Sequence, residues 1–326
     1  MVDGEGGGAE VGRRRLAVAG SDTRQPQRSI IRPSVGSEGE PSRHGGGAIE
    51  QKSASGRSLP EYRNPPINEA VLGVQTEPIQ RPLTPHLGLF WREIRERYPK
   101  AEVQPALDPA VEFFGLPKPA PLVGFRVLDK PETPRCWFIT QDDTELVQLQ
   151  QDRLIHNWRK RRPEDKYPRF PRLRETFERE LRAWESFVER EQLGRLVPNQ
   201  CELTYINHLA CSSIEDQGHM ERFLRGWKAP EEHGFLPPAE DALLILRYQM
   251  KHGDGEPLGR LHVTAQPAIL RIDNSPVVSL SLTARGRPEG DGVEGALRFL
   301  DRAHEWIVLA FDELTTPELH AKWGRV

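Results

Sequence analysis

"NPPINEAVLGVQ", residues 64–75, sets two prolines before an apolar, alternating run. Proline has no N–H to give to a ladder, yet it can open a first strand. Ile67, Ala70 and Val71 stand among polar neighbours, so the run reads as a half-buried strand. The sixty residues before Glu61 hold no aromatic side chain, 12 of the 28 glycines, and nine Lys/Arg against seven Asp/Glu. Such a composition buries too little apolar surface to offset the entropy of ordering. Residues 1–60 are therefore expected to be a disordered Gly-rich tail, with folding starting at the proline pair.

Beyond that point, strand and helix patterns alternate. Thr84 caps a helix with Pro85 at its first position, and Leu87, Phe90, Trp91, Ile94 and Tyr98 recur on one face. Extended pieces follow in "EVQPAL", "RCWFIT", "TELVQLQ" and "RLIHNWRK", and a long helix spans about Pro171 to Leu193 with Leu173, Phe177, Leu181, Trp184 and Val188 in one stripe. The second half repeats the order. "NQCELTYINHL" is a strand, "IEDQGHMERFLRGW" a helix, "DALLILRYQM", "GRLHVTAQ" and "VVSLSLTARG" three strands, and a final helix runs from Gly295 to Leu314. Two such passes, 61–195 and 196–326, suggest a structural duplication within one compact α+β unit. Long helices on a curved antiparallel sheet are expected, by analogy with TATA-binding-protein-like or helix-grip architectures.

Composition narrows the function classes. Hydrophobic residues make up 37% of the 326 and charged residues 29%, and the formal net charge is -3, so the whole molecule is no electrostatic trap for nucleic acid or anionic membrane. Cys136, Cys201 and Cys211 form neither a CxxC pair nor an even framework, which reads as reduced thiols. No window approaches 18 consecutive apolar residues, and a cytoplasmic protein is the expectation.

Several stretches carry a resemblance. "NPPINEAV", "FWREIRERYP", "NWRK" at 157–160, "YPRF" at 167–170, "TYINHL" and "LTTPELHAKWG" resemble an uncharacterised protein family of unknown function, sporadically distributed among bacteria and archaea. The similarity covers about residues 61–326. It implies a folded unit in an intracellular prokaryotic setting and no catalytic residue. Where that family's strand motif carries two arginines, this chain has Thr204 and His208, so no anion contact is carried over to those positions.

Reactive motifs are weak. In "GDGVEG", Gly290, Gly292 and Gly295 match a phosphate-binding glycine pattern, but a dinucleotide fold needs a crossover to a second parallel strand, and here the chain closes soon after the helix. "HGGG" at His44 lies in the tail with no nucleophile elbow to serve. His208, Cys211 and His219 match no zinc spacing and lack a fourth ligand. Asp301, His304 and Glu305 are close enough for acid–base chemistry but read as a solvated helix face opposite Leu300, Ile307, Phe311 and Leu314. No cofactor and no metal are expected.

Two binding candidates remain. Between Arg153 and Arg182 there are eleven Lys/Arg against five Asp/Glu, interleaved with aromatic residues, and Arg159, Lys160, Arg161 and Arg162 could neutralise phosphates. The plainer reading is a basic connector whose charges pair along the helix. Alternation within strands places Asn157 with Arg159, and Tyr205 with Asn207. If those faces meet, the four residues form one ligand-binding cluster; otherwise they belong to a structural polar network. The leading expectation is a non-catalytic binding or interaction protein, in an accessory or defence role, whose partner is a second copy or another protein and not a membrane. The alternatives are a nucleic-acid-binding module acting through residues 153–182, and a hydrolase of phosphorylated or nucleotide substrates.

Overall fold

Residues 58–79, 84–114, 133–228, 235–253 and 255–326 are described by the computed structural model. The expected tail, with Arg13–Arg15 and the "HGGG" stretch, lies outside these residues except at its last three positions. Strand β1 (Ile67–Thr76) follows the proline pair as expected and lies at the centre of the sheet, antiparallel to β5 (Arg153–Arg159) on one side and to β6 (Pro198–Ala210) on the other. Outward from β5 stand β4 (Glu145–Gln150), β3 (Arg135–Ile139) and β2 (Lys100–Gln104). Outward from β6 stand β9 (Pro276–Gly286), β8 (Pro257–Ile269) and β7 (Leu244–Lys251). All pairings are antiparallel.

In each half the first strand is innermost, the last strand lies beside it, and the others follow outward in reverse order. With four α-helices among the described residues, this is an α+β chain whose strand order repeats, five described strands in the first half and four in the second. The halves differ in that α1 (Thr84–Ile94) has no α-helical counterpart among the described residues. Residues 214–227, expected as a helix, instead form two short 3-10 turns, Ile214–Gly218 and Met220–Arg222. Gly218 explains the break: a Cβ there would lie 1.9 Å from the carbonyl oxygen of Ala239. Gln217 donates across to the carbonyls of Ala268 and Val277, so this segment is tied to the sheet and not to its own helical ladder.

Two long helices, α2 (Phe170–Arg190) and α3 (Gly292–Leu314), cover one side of the sheet. Ala70, Leu72 and Val74 of β1 point to that side, as do their partners Trp158, His156 and Leu154 on β5 and Tyr205, Leu203 and Cys201 on β6. The α2 stripe read from the sequence is buried throughout, with Trp184 packed edge-on against Phe90 of α1 at 5.0 Å and stacked with Phe187. Between α2 and β5, Glu180 accepts from Tyr98 Oη and lies 2.9 Å from His156 Nδ1.

The end of the chain fastens its folded beginning. Arg63 and Asn64 donate to the carbonyls of Gly324 and Trp323, Val326 donates to Glu61, and Tyr62 donates to Asp312 Oδ1 at 2.6 Å. Trp323, at the end of α4 (Pro317–Trp323), packs on Tyr62 and Phe311 as an apolar anchor. Trp184→Ala is expected to destabilise the fold by about 3–5 kcal/mol, the usual cost of deleting a buried tryptophan, read as a lowered denaturant midpoint.

Candidate functional site

Strand register places Asn157 and Asn207 on opposite sides of the sheet. Val71 pairs with Asn157 on one flank and with Thr204 on the other, so the β6 residues on the Asn157 side are Glu202, Thr204 and Ile206. Tyr205 and Asn207 point to the helices. The expected cluster of Arg159, Asn157, Tyr205 and Asn207 is therefore corrected to two separate pairs. Each asparagine does find partners, as a buried amide must. Asn207 Nδ2 donates to the Leu280 carbonyl at 3.2 Å, while Asn157 accepts from Gln148 at 2.7 Å and donates to Glu69 at 2.6 Å.

On the helix side, Tyr167 Oη donates to Tyr205 Oη at 3.0 Å, and Tyr205 Oη lies 2.9 Å from His304 Nδ1. His304 is stacked on Phe170 at 4.0 Å, buried and not on the solvated face its neighbours suggested. Burial pushes its pKa down to about 3, and burial together with Tyr167 pushes the Tyr205 phenol well up. A neutral imidazole held against a phenol that resists ionisation is poorly matched to proton transfer near neutral pH. A cavity of about 80 Å3 opens beside this chain, bounded by Asn207, Ile307 and Arg169.

The other side of the sheet carries no helix among the described residues. Its centre is a polar relay: Arg135 and Trp137 both donate to Gln148 Oε1, which passes through Asn157 to Glu69. The guanidiniums of Arg135 and Arg159 lie 5.5 and 5.7 Å from the Trp137 ring. One end of this face is crossed by a strap, residues 105–114, that leaves β2 and runs across the strands. Gln150 on β4 accepts from Leu107 N and donates to Leu107 O, Gln75 on β1 accepts from Ala110 N, and Gln200 on β6 accepts from Glu112 N. β4 and β6, whose glutamines hold Leu107 and Glu112, stand three steps apart, about 14 Å, and the five steps from Leu107 to Glu112 reach about 17 Å when extended. The strap is thus largely extended, and the Glu112 side chain covers the remaining distance to β9 and β8.

At its far end, Glu112 is buried and its carboxylate accepts from Arg260 and, at 2.7 Å, from His262, with Arg285 at 3.6 Å. Burial alone would raise its pKa, but the His262 hydrogen bond and the neighbouring guanidiniums of Arg260 and Arg285 together hold it at about 2. Beside the strap lies a cavity of about 260 Å3, floored by Gly73, Ile155 and Glu202 and closed by Leu107 and Ala110. No pattern in the sequence announced this site, because its ligating groups come from strands far apart in the chain.

The basic segment does not gather into one surface. Arg153 pairs with Asp152, Arg162 with Asp165, Arg174 with Glu178 and Asp301, and Arg182 with Glu178 and Glu294. Lys160, Arg161 and Arg162 are exposed just past β5, whereas Arg153 and Arg159 turn onto the uncovered face at opposite ends of that strand. The "GDGVEG" turn leads into α3 and α4, and every strand pairing is antiparallel, so the crossover a dinucleotide site needs is not present among the described residues.

His304 gives the stability a pH dependence. An unfolded imidazole takes up a proton near pH 6.5, whereas the folded one resists until about pH 3, so its contribution is complete above pH about 6.5 and lost as pH falls to about 3. Denaturant midpoints measured across that window are expected to fall less steeply with acidification for His304→Phe than for the wild type. No protein-family model matches the chain, and neither a curated protein nor a solved structure does.

Proposed function

We propose that the chain is a non-catalytic binding protein that receives an extended segment of a partner protein along the uncovered face of its sheet. The observation that supports this most is the row Gln150–Gln75–Gln200. Three side-chain amides on three strands hold the peptide groups of an extended strap that pairs with none of those strands. A face that binds one extended backbone through side-chain amides has the chemistry to bind another. The cavity next to the strap gives such a segment room, and Gly73 leaves its floor without a side chain. An intracellular, cytoplasmic setting, membership of the resembled family and a TATA-binding-protein-like or helix-grip-like arrangement belong to the same proposal.

A second reading has its own observation. Trp137 lies beside two guanidiniums whose Nε atoms are buried without a partner, a grouping that could stack a base and hold a phosphate. Nothing at the site favours the hydrolase reading.

A random peptide library panned on the immobilised full chain tests the first reading. Captured peptides are expected to lose at least tenfold in affinity on Gly73→Val, a change whose Cβ meets Ile155 and the Glu202 carbonyl oxygen at ordinary contact distances and whose fold is checked by an unchanged denaturant midpoint. Capture of no peptide, or equal binding by Gly73→Val, would overturn it. If single-stranded oligonucleotides bind instead, Arg159→Ser is expected to lower the salt slope by about 0.7, the share of one neutralised phosphate on a single strand.

A further inference from the structure

Arg260 on β8 and Arg285 on β9 are direct cross-strand partners on the uncovered face. Like charges opposite one another repel, and His262 adds a third cationic or donor group two residues along. Such a trio needs an anion between its members, and the strands themselves supply only Glu202, which Arg285 binds at 2.6 Å on the side away from Arg260. The central anion arrives from outside the sheet. Glu112 fills the place with both carboxylate oxygens, and Arg260 follows the strap further, donating to the Phe113 carbonyl at 3.1 Å and lying 4.8 Å from the Phe114 ring.

The strap that brings Glu112 has the marks of a ligand more than of a structural element. It contains Pro105 and Pro109, makes no ladder with any strand, and is held by side chains of the sheet at four of its residues. Its own Val111 and Phe113 side chains are exposed, 40% and 58%, so it brings little apolar surface to the sheet. Resting on the binding reading above, we propose that residues 105–114 are a built-in stand-in for the partner: the site recognises an extended peptide with an acidic side chain, whose carboxylate takes the place of Glu112 between Arg260, His262 and Arg285.

On this account the row of glutamines reads the backbone and is tolerant of sequence. The two arginines and the histidine supply the specificity, since a neutral side chain there would leave three half-buried donors facing one another without an anion. The tether gives the strap a high effective concentration, so a free peptide competes poorly until the strap is weakened.

The test uses a fluorescent peptide of residues 105–114, PALDPAVEFF, titrated into the full-length protein. Glu112→Gln is expected to bind it at least tenfold more tightly than wild type, with faster amide exchange at Leu107, Ala110 and Glu112 of the released strap. The same peptide with Gln in place of its Glu should bind neither protein, and adding Arg260→Ala to Glu112→Gln should remove binding. Should Glu112→Gln fail to fold, Ala110→Pro weakens the strap differently, by deleting the N–H that Gln75 accepts, and is expected to show the same gain. Equal affinity of the weakened variant and wild type, or equal binding of the Gln peptide, would overturn the proposal. If library peptides bind the face while this peptide does not, the strap proposal falls and the binding reading stands; if no peptide binds, both fall.

Discussion

β1 pairs with β5 and β6 at once, and this double pairing decides on which side of the sheet every other group stands. A strand between two neighbours sends alternate side chains to opposite faces, and its register passes that choice outward. Ala70, Leu72 and Val74 commit Trp158, His156, Tyr205 and Leu203 to the helices; Val71, Gly73 and Gln75 commit Asn157, Arg153, Thr204 and Gln200 to the other face. The division is chemical as well as geometric. One side becomes a closed apolar layer under α2 and α3, and the other keeps glutamines, asparagine and arginines in position to hold a chain.

The helix side stays closed because its polar groups satisfy one another. Tyr167, Tyr205 and His304 form one chain, and Tyr98, Glu180 and His156 another, each between a strand and a long helix. Buried groups left alone cost about 1–3 kcal/mol each. Pairing avoids most of that cost and makes the helix positions specific. The Nε2 atom of His156 is an exception, buried with no partner.

Within a single strand or helix the sequence was legible. The α2 stripe, the opening of β1 after Pro65 and Pro66, and the succession of strands along the chain follow from local periodicity. Relations between strands were not. Asn157 and Asn207 each read as facing inward, and both are buried, but whether they share a side depends on the register of two strands with β1 between them. His304 was misread for a different reason. Leu297, Leu300, His304, Ile307 and Phe311 recur at steps of three and four, and that spacing alone would have placed the imidazole in the buried stripe. Residues 214–227 show the opposite failure, since helical periodicity there is overridden by the close approach of the Ala239 backbone to Gly218. The strap offered little local signal: "EVQPAL" read as extended, but its ladder ends at Gln104 and Pro105–Leu107 already belong to the strap. Its two prolines exclude helix, but nothing in ten residues says which distant side chains will hold them.

The way the strap is held bears on what kind of recognition the face supports. A segment added to a sheet edge would pair through its backbone in a fixed register, and any one-residue slip would reverse its side chains. A segment crossing the strands meets side-chain amides instead, here on three of four successive strands that stand about 4.8 Å apart, while its own residues advance by about 3.4 Å. The two spacings do not match, so the peptide groups are held at intervals, at Leu107, Ala110, Glu112 and Phe113. Held at intervals, the chain has no register to lose. A single strong polar contact must then fix its position along the row, and the carboxylate of Glu112 between Arg260, His262 and Arg285 is the contact in this structure able to do so.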